Sequence, residues 1–348
     1  MENKKDVIKR VILLLVTLVF VGGALFGTSV LSRFYTDKSP NKDFSYEAVY
    51  TAEKLSLEAD KSGALRVIKI NDTHFFNGTS ENDVRTLELI RSVLDKTPCD
   101  FIVINGDLVD GFNLNKSYDK FGAIDIFASL LEEYETPWTF APGNNDCEID
   151  GDNESIIAFM MQYEHFVCGN SEGVPGSVNF TVDVNYNGEK VHSIAIMDSL
   201  ARKPRAIGPY QAMDEAQAKW LDNTVKEGGV RTSVFFHMPT GAFKDAYDNG
   251  ESFDGIERYE TFPYAEKDGD TVFDNVISQN ELITLISCGH QHSNNMCSFY
   301  NGRFYQLSSV SGFSAMRNDF IIPSLTLTTI NTLEENVQNM YQFEQIRG

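Results

Sequence analysis

Two stretches of this chain carry residue types able to do chemistry: Asn105-Gly106-Asp107-Leu108-Val109-Asp110 and Cys288-Gly289-His290-Gln291-His292. The first sets the Asp107 carboxylate just after a short apolar run, Phe101 to Ile104, where a buried strand should end. The second sets two imidazoles after another apolar run, Leu282 to Ile286. Carboxylate oxygen with imidazole nitrogen is the donor set of borderline divalent cations such as zinc, manganese and iron. Strand C-terminal ends are also where open α/β sheets gather their active-site loops. Further ligands are therefore to be sought at other strand ends, and three more stretches qualify. Leu65 to Ile70 runs into Asn71-Asp72-Thr73-His74, and Pro137 to Ala141 ends in Pro142-Gly143-Asn144-Asn145-Asp146. Thr232 to Phe236 ends in His237.

Each block alone has a plainer reading. Asp and His fall two apart by chance, Gly106-Asp107 suits a turn with a side-chain cap, and His237 before Met238-Pro239 suits a satisfied core histidine. Amidohydrolases also carry an H-x-H, but theirs follows the first strand, whereas His290 and His292 come late. What is specific is the set: D-x-H, G-D-x-x-D, G-N-x-D, a lone His and G-H-x-H, in that order, each behind an apolar run. In this the chain resembles the calcineurin-like metallophosphoesterases, from about Leu65 to Ser314.

The resemblance implies a site with two divalent metal ions, of Mn, Fe or Zn type. Carried over position by position, Asp72, His74 and His292 would hold one metal, Asn144, His237 and His290 the other, and Asp107 would bridge them. The implied reaction is hydrolysis of a small phosphate ester by attack of a metal-bound hydroxide on phosphorus. Tyr134 to Glu148 and Gly289 to Ser314 are further similar to a purple-acid-phosphatase-like branch. Asp110 stands where purple acid phosphatases carry a metal-binding tyrosine, so the colour-giving ligand is missing. A second departure bears on catalysis. The family usually writes Gly-Asn-His-Asp or Gly-Asn-His-Glu, and that histidine contacts the substrate and can protonate the leaving oxygen; here it is Asn145. Asn145 and Asp146 are the candidate catalytic residues, with His165 and His192 as other conceivable proton donors. The rival expectation is a catalytically retired, metal-containing protein that binds a phosphorylated ligand or partner.

The elements that must position these residues follow from periodicity. Apolar spacing predicts helices over Glu81 to Leu94, Phe121 to Tyr134, Ser155 to Tyr163 and Gln211 to Val225. Asn179 to Val184 and Val191 to Met197 read as strands joined at Asn187-Gly188, and Asn294 to Tyr300 and Arg303 to Ser308 as strands joined at Asn301-Gly302. Asn-Gly is a strong hairpin signal. Leu325 to Ile330 reads as the last strand. Strand and helix alternating early, with hairpins late, predict an α/β fold of two sheets packed face to face with helices outside. The resembled family has this four-layer α/β/β/α sandwich, with its metals where the strand ends of the two sheets meet.

The amino-terminal stretch is different in kind. Residues 1–10 carry Lys4, Lys5, Lys9 and Arg10, and 11–31 hold no charged residue. A helix of that length spans about 30 Å, the hydrocarbon thickness of a bilayer. It reads as one transmembrane signal anchor with a cytoplasmic basic flank, placing the rest on the extracytoplasmic side of the cell membrane. A cleaved signal peptide, giving a secreted protein, is the alternative. Residues 32–62 read as a tether, with a short helix near Tyr46 to Leu57, and 63–348 as the metallophosphoesterase domain.

Composition narrows the partners. The 348 residues, 42% of them hydrophobic, suffice for one large core. A net charge of −21 repels a long nucleic acid, and no basic stripe is present. Two divalent cations would reverse the potential locally, so a small phosphorylated substrate stays compatible with the acidic surface. Five cysteines is an odd number, so at least one is unpaired or pairs between molecules. An exported domain permits Cys288 with Cys297 and Cys147 with Cys168, neither of which is the favoured reading, and a buried Cys147 thiol is the alternative. Asn-x-Ser/Thr sequons stand at Asn71, Asn77, Asn115, Asn153 and Asn179, and a glycan on Asn71 would adjoin Asp72. The loops Lys244 to Asp270 and Arg202 to Met213, expected to shape the pocket, carry no readable motif, and nothing sets the oligomeric state.

Overall fold

A computed structural model describes residues 55–111, 115, 117–147, 153–200, 213–253, 270–316 and 322–348. The expected anchor over 11–31 and most of the tether lie outside the described residues; among those described, no helix is long and apolar enough to cross a membrane.

In chain order the first half holds β1 (Ser56–Glu58), β2 (Ala64–Ile70), α1 (Glu81–Leu94), β3 (Phe101–Ile104), α2 (Lys120–Glu132), β4 (Trp138–Phe140) and α3 (Asn153–Met160). Next come β5 (Asn179–Tyr186), β6 (Glu189–Met197), α4 (Glu215–Gly228), β7 (Arg231–Phe235), α5 (Gly241–Asn249), β8 (Glu251–Ser252) and α6 (Asp270–Ser278). The chain finishes with β9 (Ile283–Cys288), β10 (Met296–Tyr300), β11 (Arg303–Leu307), β12 (Leu325–Asn331), α7 (Val337–Met340) and β13 (Tyr341–Ile346).

The strands form a five-stranded sheet, β13-β12-β2-β3-β4, and an eight-stranded one, β1-β5-β6-β7-β9-β11-β10-β8. In the first, β2, β3 and β4 are parallel; in the second, β6, β7, β9 and β11 are. Parallel strands aligned this way bring all their C-terminal ends to one edge, so the loops after β2, β3, β4, β7 and β9 can meet there. Alternation along β7 shows the two faces of the larger sheet. Phe235 belongs to the apolar cluster shared with the smaller sheet, whereas Val234 and Phe236 pack with Leu221 of α4, Phe243 of α5 and Phe273 of α6. Helices α1 to α3 join the shared cluster through Ile90, Phe127 and Ile157. The layers are thus helices, sheet, sheet, helices, as periodicity predicts.

Local signals act where they should. Helix α1 starts at Ser80, whose hydroxyl accepts the Asp83 amide at 3.2 Å, and α4 starts in a reciprocal Asp214–Gln217 capping box. Both Asn-Gly hairpins form with positive φ at each central residue: 54° and 80° at Asn187-Gly188, 48° and 79° at Asn301-Gly302.

The structure also corrects the sequence reading. Ser56–Glu58, inside the expected tether and helix, is strand β1, paired in parallel with β5 and burying Leu57. The smaller sheet does not end at Ile330, because β13 adds a further antiparallel strand. Cys288 and Cys297 are not joined to each other, since strand alternation puts Cys288 among the outer helices and Cys297 between the sheets. Cys168 is a free, buried thiol, and nothing is described of the Cys147 side chain. Asn71, Asn153 and Asn179 are buried and therefore unfit to carry glycans.

Between the sheets runs a polar seam. Tyr341 of β13 shares its hydroxyl with Ser233 of β7 at 3.0 Å and Thr284 of β9 at 2.7 Å, and Ser233 meets His192 Nε2 at 2.9 Å. Burial pushes the His192 pKa down to about 3, so this imidazole is neutral in the folded chain. The unfolded chain takes up that proton near pH 6.5, so stability is lost as pH falls from 6.5 toward 3. At 1.36 kcal/mol per unit, acidification from pH 7 to 4 should cost roughly 3 kcal/mol through this residue. Urea unfolding at the two pH values should show a smaller acid loss in His192→Gln by about that amount; equal losses would refute the assignment.

Candidate metal centre

The five ligand-bearing loops converge at the shared strand edge. The smaller sheet contributes Asp72 and His74 after β2, Asp107 after β3 and Asn144 after β4; the larger contributes His237 after β7 and His290 and His292 after β9. All are buried except His290 and His292, which are partly so. Ligand atoms of Asp72, His74, Asp107 and His292 lie within 4.8 Å of one another, as do those of Asp107, His237 and His290. Asp107 belongs to both groups. Its Oδ2 stands 3.5 Å from His74 Nε2 and 3.3 Å from His237 Nε2, the place of a bridging carboxylate. On one side His292 Nε2 lies 3.2 Å from Asp72 Oδ1 and 3.1 Å from His74 Nε2. On the other the His237 and His290 rings meet edge to face at 5.3 Å. Asn144 is buried between Gly143, where a Cβ would lie 2.3 Å from the Asp107 amide, and Asn145, which bonds Asp107 directly.

The backbone reaches this geometry by leaving the pleat. Asp72, His74, Asp107 and His290 all have φ between 47° and 68°, the left-handed region that costs roughly 1–2 kcal/mol per non-glycine residue. Cross-loop hydrogen bonds hold them there: Asp72 N to Gly106 O at 3.0 Å, His74 N to Asp107 O at 3.0 Å and Gly312 N to Asp72 O at 3.2 Å. Strain of this kind gathers at functional sites, where the surrounding structure over-determines it. Gly106 is required on two counts, with φ of 84° and a Cβ position 2.4 Å from His237 Nδ1. Gly106→Ala should therefore displace the His237 ring and lower cation occupancy, read by metal analysis of the folded variant; unchanged occupancy would contradict this.

Hydrogen bonding around the ligands selects their lone pairs. His237 Nδ1 donates to the Asn105 carbonyl at 2.8 Å, which leaves the buried Nε2, without a hydrogen-bond partner, as the coordinating atom. Asp72 Oδ2 accepts from Asn71 Nδ2 at 2.7 Å and from the His290 amide at 2.9 Å, leaving Oδ1 to the site. An unpartnered buried imidazole nitrogen facing a buried carboxylate fits a cation of the nitrogen- and oxygen-binding class.

Electrostatics agree. Burial raises the pKa of Asp107, but His237 and His74 outweigh it and hold the carboxyl well below the usual range. Asp72 is lowered to about 2, burial being outweighed by His292 and His237. His237 is raised to about 10 because the Asp107 charge overcomes burial. An imidazole must be neutral to ligate, so cation uptake should release protons and weaken on acidification.

The remaining candidates fall apart from one another. Asn145 donates its amide to Asp107 Oδ1 at 2.7 Å and its Nδ2 to Asp107 Oδ2 at 2.6 Å, directly at the centre. Asp146 spends both oxygens on backbone N–H groups: Gly143 and Asp107 on Oδ2, Leu108 and Val109 on Oδ1, at 2.8–3.2 Å. It clamps the loop after β3 to the loop after β4; burial and the Asp107 charge push its pKa up, to about 7. His165 pairs with Glu132 at 2.8 Å and His192 lies in the seam between the sheets, so neither joins the cluster. Sequence reasoning misses the supports around the ligands: Asn71, whose side-chain amide bonds Asp72, the Asn105 carbonyl, Gly312 against Thr73, and Asp83, whose carboxylate gathers the amides of Phe76, Asn77 and Gly78. Asn71 and Asn105, each just ahead of a ligand block, are the readable signal.

Fold and site together define a metal-binding α/β protein whose centre is built between two sheets. A profile of the calcineurin-like phosphoesterase family matches residues 65–294, and the chain belongs to that family. An uncharacterized protein of Schizosaccharomyces pombe is 22% identical over 265 residues, covering 71% of this chain and 49% of that protein. The chain thus spans about half the length of that relative. An Arabidopsis thaliana protein named "Probable inactive purple acid phosphatase 29" is 21% identical over 296 residues, covering 72% of this chain and 73% of the relative. A dimetal phosphatase from Danio rerio superposes with a TM-score of 0.51 at 12% identity, covering 76% of this chain and 92% of that one. At that identity the likeness is one of fold.

Proposed function

We propose that this protein is a dinuclear-metal phosphoesterase that hydrolyses a small phosphate ester. The observation that carries the reading is Asp107, shared by two clusters of buried nitrogen and oxygen donors. Asp72, His74 and His292 would hold one divalent cation and Asn144, His237 and His290 the other, of manganese, iron or zinc type, with Asp107 common to both. When bound, such a pair supplies water activation at neutral pH and neutralises charge on the phosphoryl oxygens. The protein's own residues do the rest. The left-handed loops aim the ligands, the Asp146 clamp fixes the Asp107 turn, and Asn145 donates hydrogen bonds beside it. An amide donates a hydrogen bond but delivers no proton at neutral pH, so the leaving oxygen must depart without a strong general acid.

Asn145 also favours a second reading, a retired site that binds a phosphorylated ligand, in keeping with the name of the Arabidopsis relative. Turnover separates the two: the first requires metal-dependent release of phosphate or alcohol, the second binding alone.

We place the domain outside the cell membrane, held by residues 11–31, on the strength of the basic flank and the uncharged span. Protease added to intact cells with the wall opened should remove the domain and spare cytoplasmic controls. Complete protection would overturn the placement.

A further inference from the structure

Lys69 stands on β2 three residues before Asp72, with its side chain wholly buried between the sheets. Its Nζ bonds Ser287 Oγ of β9 and, at 3.2 Å, Gln306 Oε1 of β11; Ser287 Oγ itself reaches Gln306 Oε1 at 2.6 Å. These partners are neutral. Among the described residues, the charged and titratable groups around Lys69 are the Asp72 carboxylate and the Cys288 and Cys297 thiols, with the Phe235 ring 5.9 Å away. A buried ammonium without a paired carboxylate is costly in a low dielectric. Burial accordingly pushes its pKa down to about 7, with the thiols and Asp72 opposing the fall. The group is also wired to the centre. The Ser287 carbonyl accepts from Asn105 Nδ2 at 3.3 Å, and the Asn105 carbonyl accepts from His237 Nδ1 at 2.8 Å.

Asp72, a cation ligand, is the one carboxylate among the groups that favour the Lys69 proton. Once Asp72 holds a divalent cation, the potential it sets at Nζ reverses sign and the protonated form is disfavoured. We propose that Lys69, which ligates nothing, exchanges its proton for metal: cation uptake at the centre expels the proton to solvent and couples loading of the site to pH. This rests on the reading that the seven ligands hold cations, and not on what the site hydrolyses. The neutral amine keeps two N–H groups, one for the Ser287 hydroxyl oxygen and one for Gln306 Oε1, so the seam survives the change.

Calorimetric titration of the full chain with Mn²⁺ alone, in buffers of different ionisation enthalpy, counts the protons released. At pH 6 the wild type should release about one proton more than Lys69→Met or Lys69→Gln, and at pH 8.5 the difference should vanish. Below pH 7 the Mn²⁺ affinity of the wild type should fall up to about tenfold more per pH unit than that of either variant. Lys69→Gln retains hydrogen-bonding groups for Ser287 and Gln306, so the comparison stands even where the methionine variant does not fold. Equal proton counts at pH 6, with Mn²⁺ bound in all proteins, overturn the proposal and leave the metal reading intact. A wild type that takes up none of Mn²⁺, Fe²⁺ and Zn²⁺ overturns both.

Discussion

Asp107→Ala should empty the metal centre of both cations, while loss of a ligand from one side should empty that side first. Asp107 Oδ2 is the oxygen that both His74 Nε2 and His237 Nε2 face, at 3.5 and 3.3 Å. Removing it leaves each cation one donor short and withdraws the negative charge that offsets their mutual repulsion. Mutation of outer-sphere supports alone typically costs 10–100-fold in metal affinity, so loss of a shared ligand should exceed about 100-fold at both positions. Metal analysis of the purified protein should give about two equivalents in the wild type and far below one in the variant. His292→Ala, by contrast, should weaken the side of Asp72 and His74 more than that of His237 and His290. Two equivalents retained in Asp107→Ala would show that the carboxylate does not bridge.

The second large effect concerns Asn145. If no residue protonates the leaving oxygen, rate should depend steeply on leaving-group acidity, and aryl phosphates and phosphoanhydrides should react far faster than alkyl esters. Asn145→His introduces a titratable donor on a turn already bonded to Asp107 through its backbone amide at 2.7 Å. That bond does not depend on the side chain and should survive. Positioned general acids typically contribute roughly 10²–10⁴-fold, and the gain should fall on alkyl esters, where expelling an unprotonated alkoxide is hardest. The test is the slope of log rate against leaving-group pKa, which should flatten in the variant. An equal gain for every leaving group would mean that the histidine merely binds phosphate. No gain, with both cations bound, would mean that another group supplies the proton.

The centre was legible in the sequence because metal ligation is written in side chains at strand ends, where an apolar run stops and a carboxylate or imidazole follows. Its scaffold was less so. Asn71 and Asp83 act on neighbouring backbone and side chains, and the φ values of Asp72, His74, Asp107 and His290 are imposed by cross-loop hydrogen bonds that local propensity opposes. Strand β1 is three residues long and buries Leu57 alone, too little periodicity to distinguish it from a tether. Strand β13 did carry a signal, since Tyr341 and Phe343 alternate with Gln342 and Glu344, but only over six residues. The Cys288–Cys297 spacing suits a staple until strand alternation is considered, which sends the two thiols to opposite faces. His165 and His192 show the reverse limit: residue type suggested a proton donor, and tertiary position assigned one to Glu132 and the other to the inter-sheet seam.

Hydrolysis of an aryl phosphate by the purified protein, stripped of metal and then reloaded with manganese, zinc or iron, tests the account most directly. Mono- and diesters should be compared under the same conditions, with bound metal counted in each sample. The account predicts no turnover after chelation and restoration as occupancy climbs to about two equivalents, with Asp107→Ala inactive throughout. Two bound cations with no turnover on any aryl phosphate would contradict it and leave a protein that binds phosphorylated ligands without cleaving them.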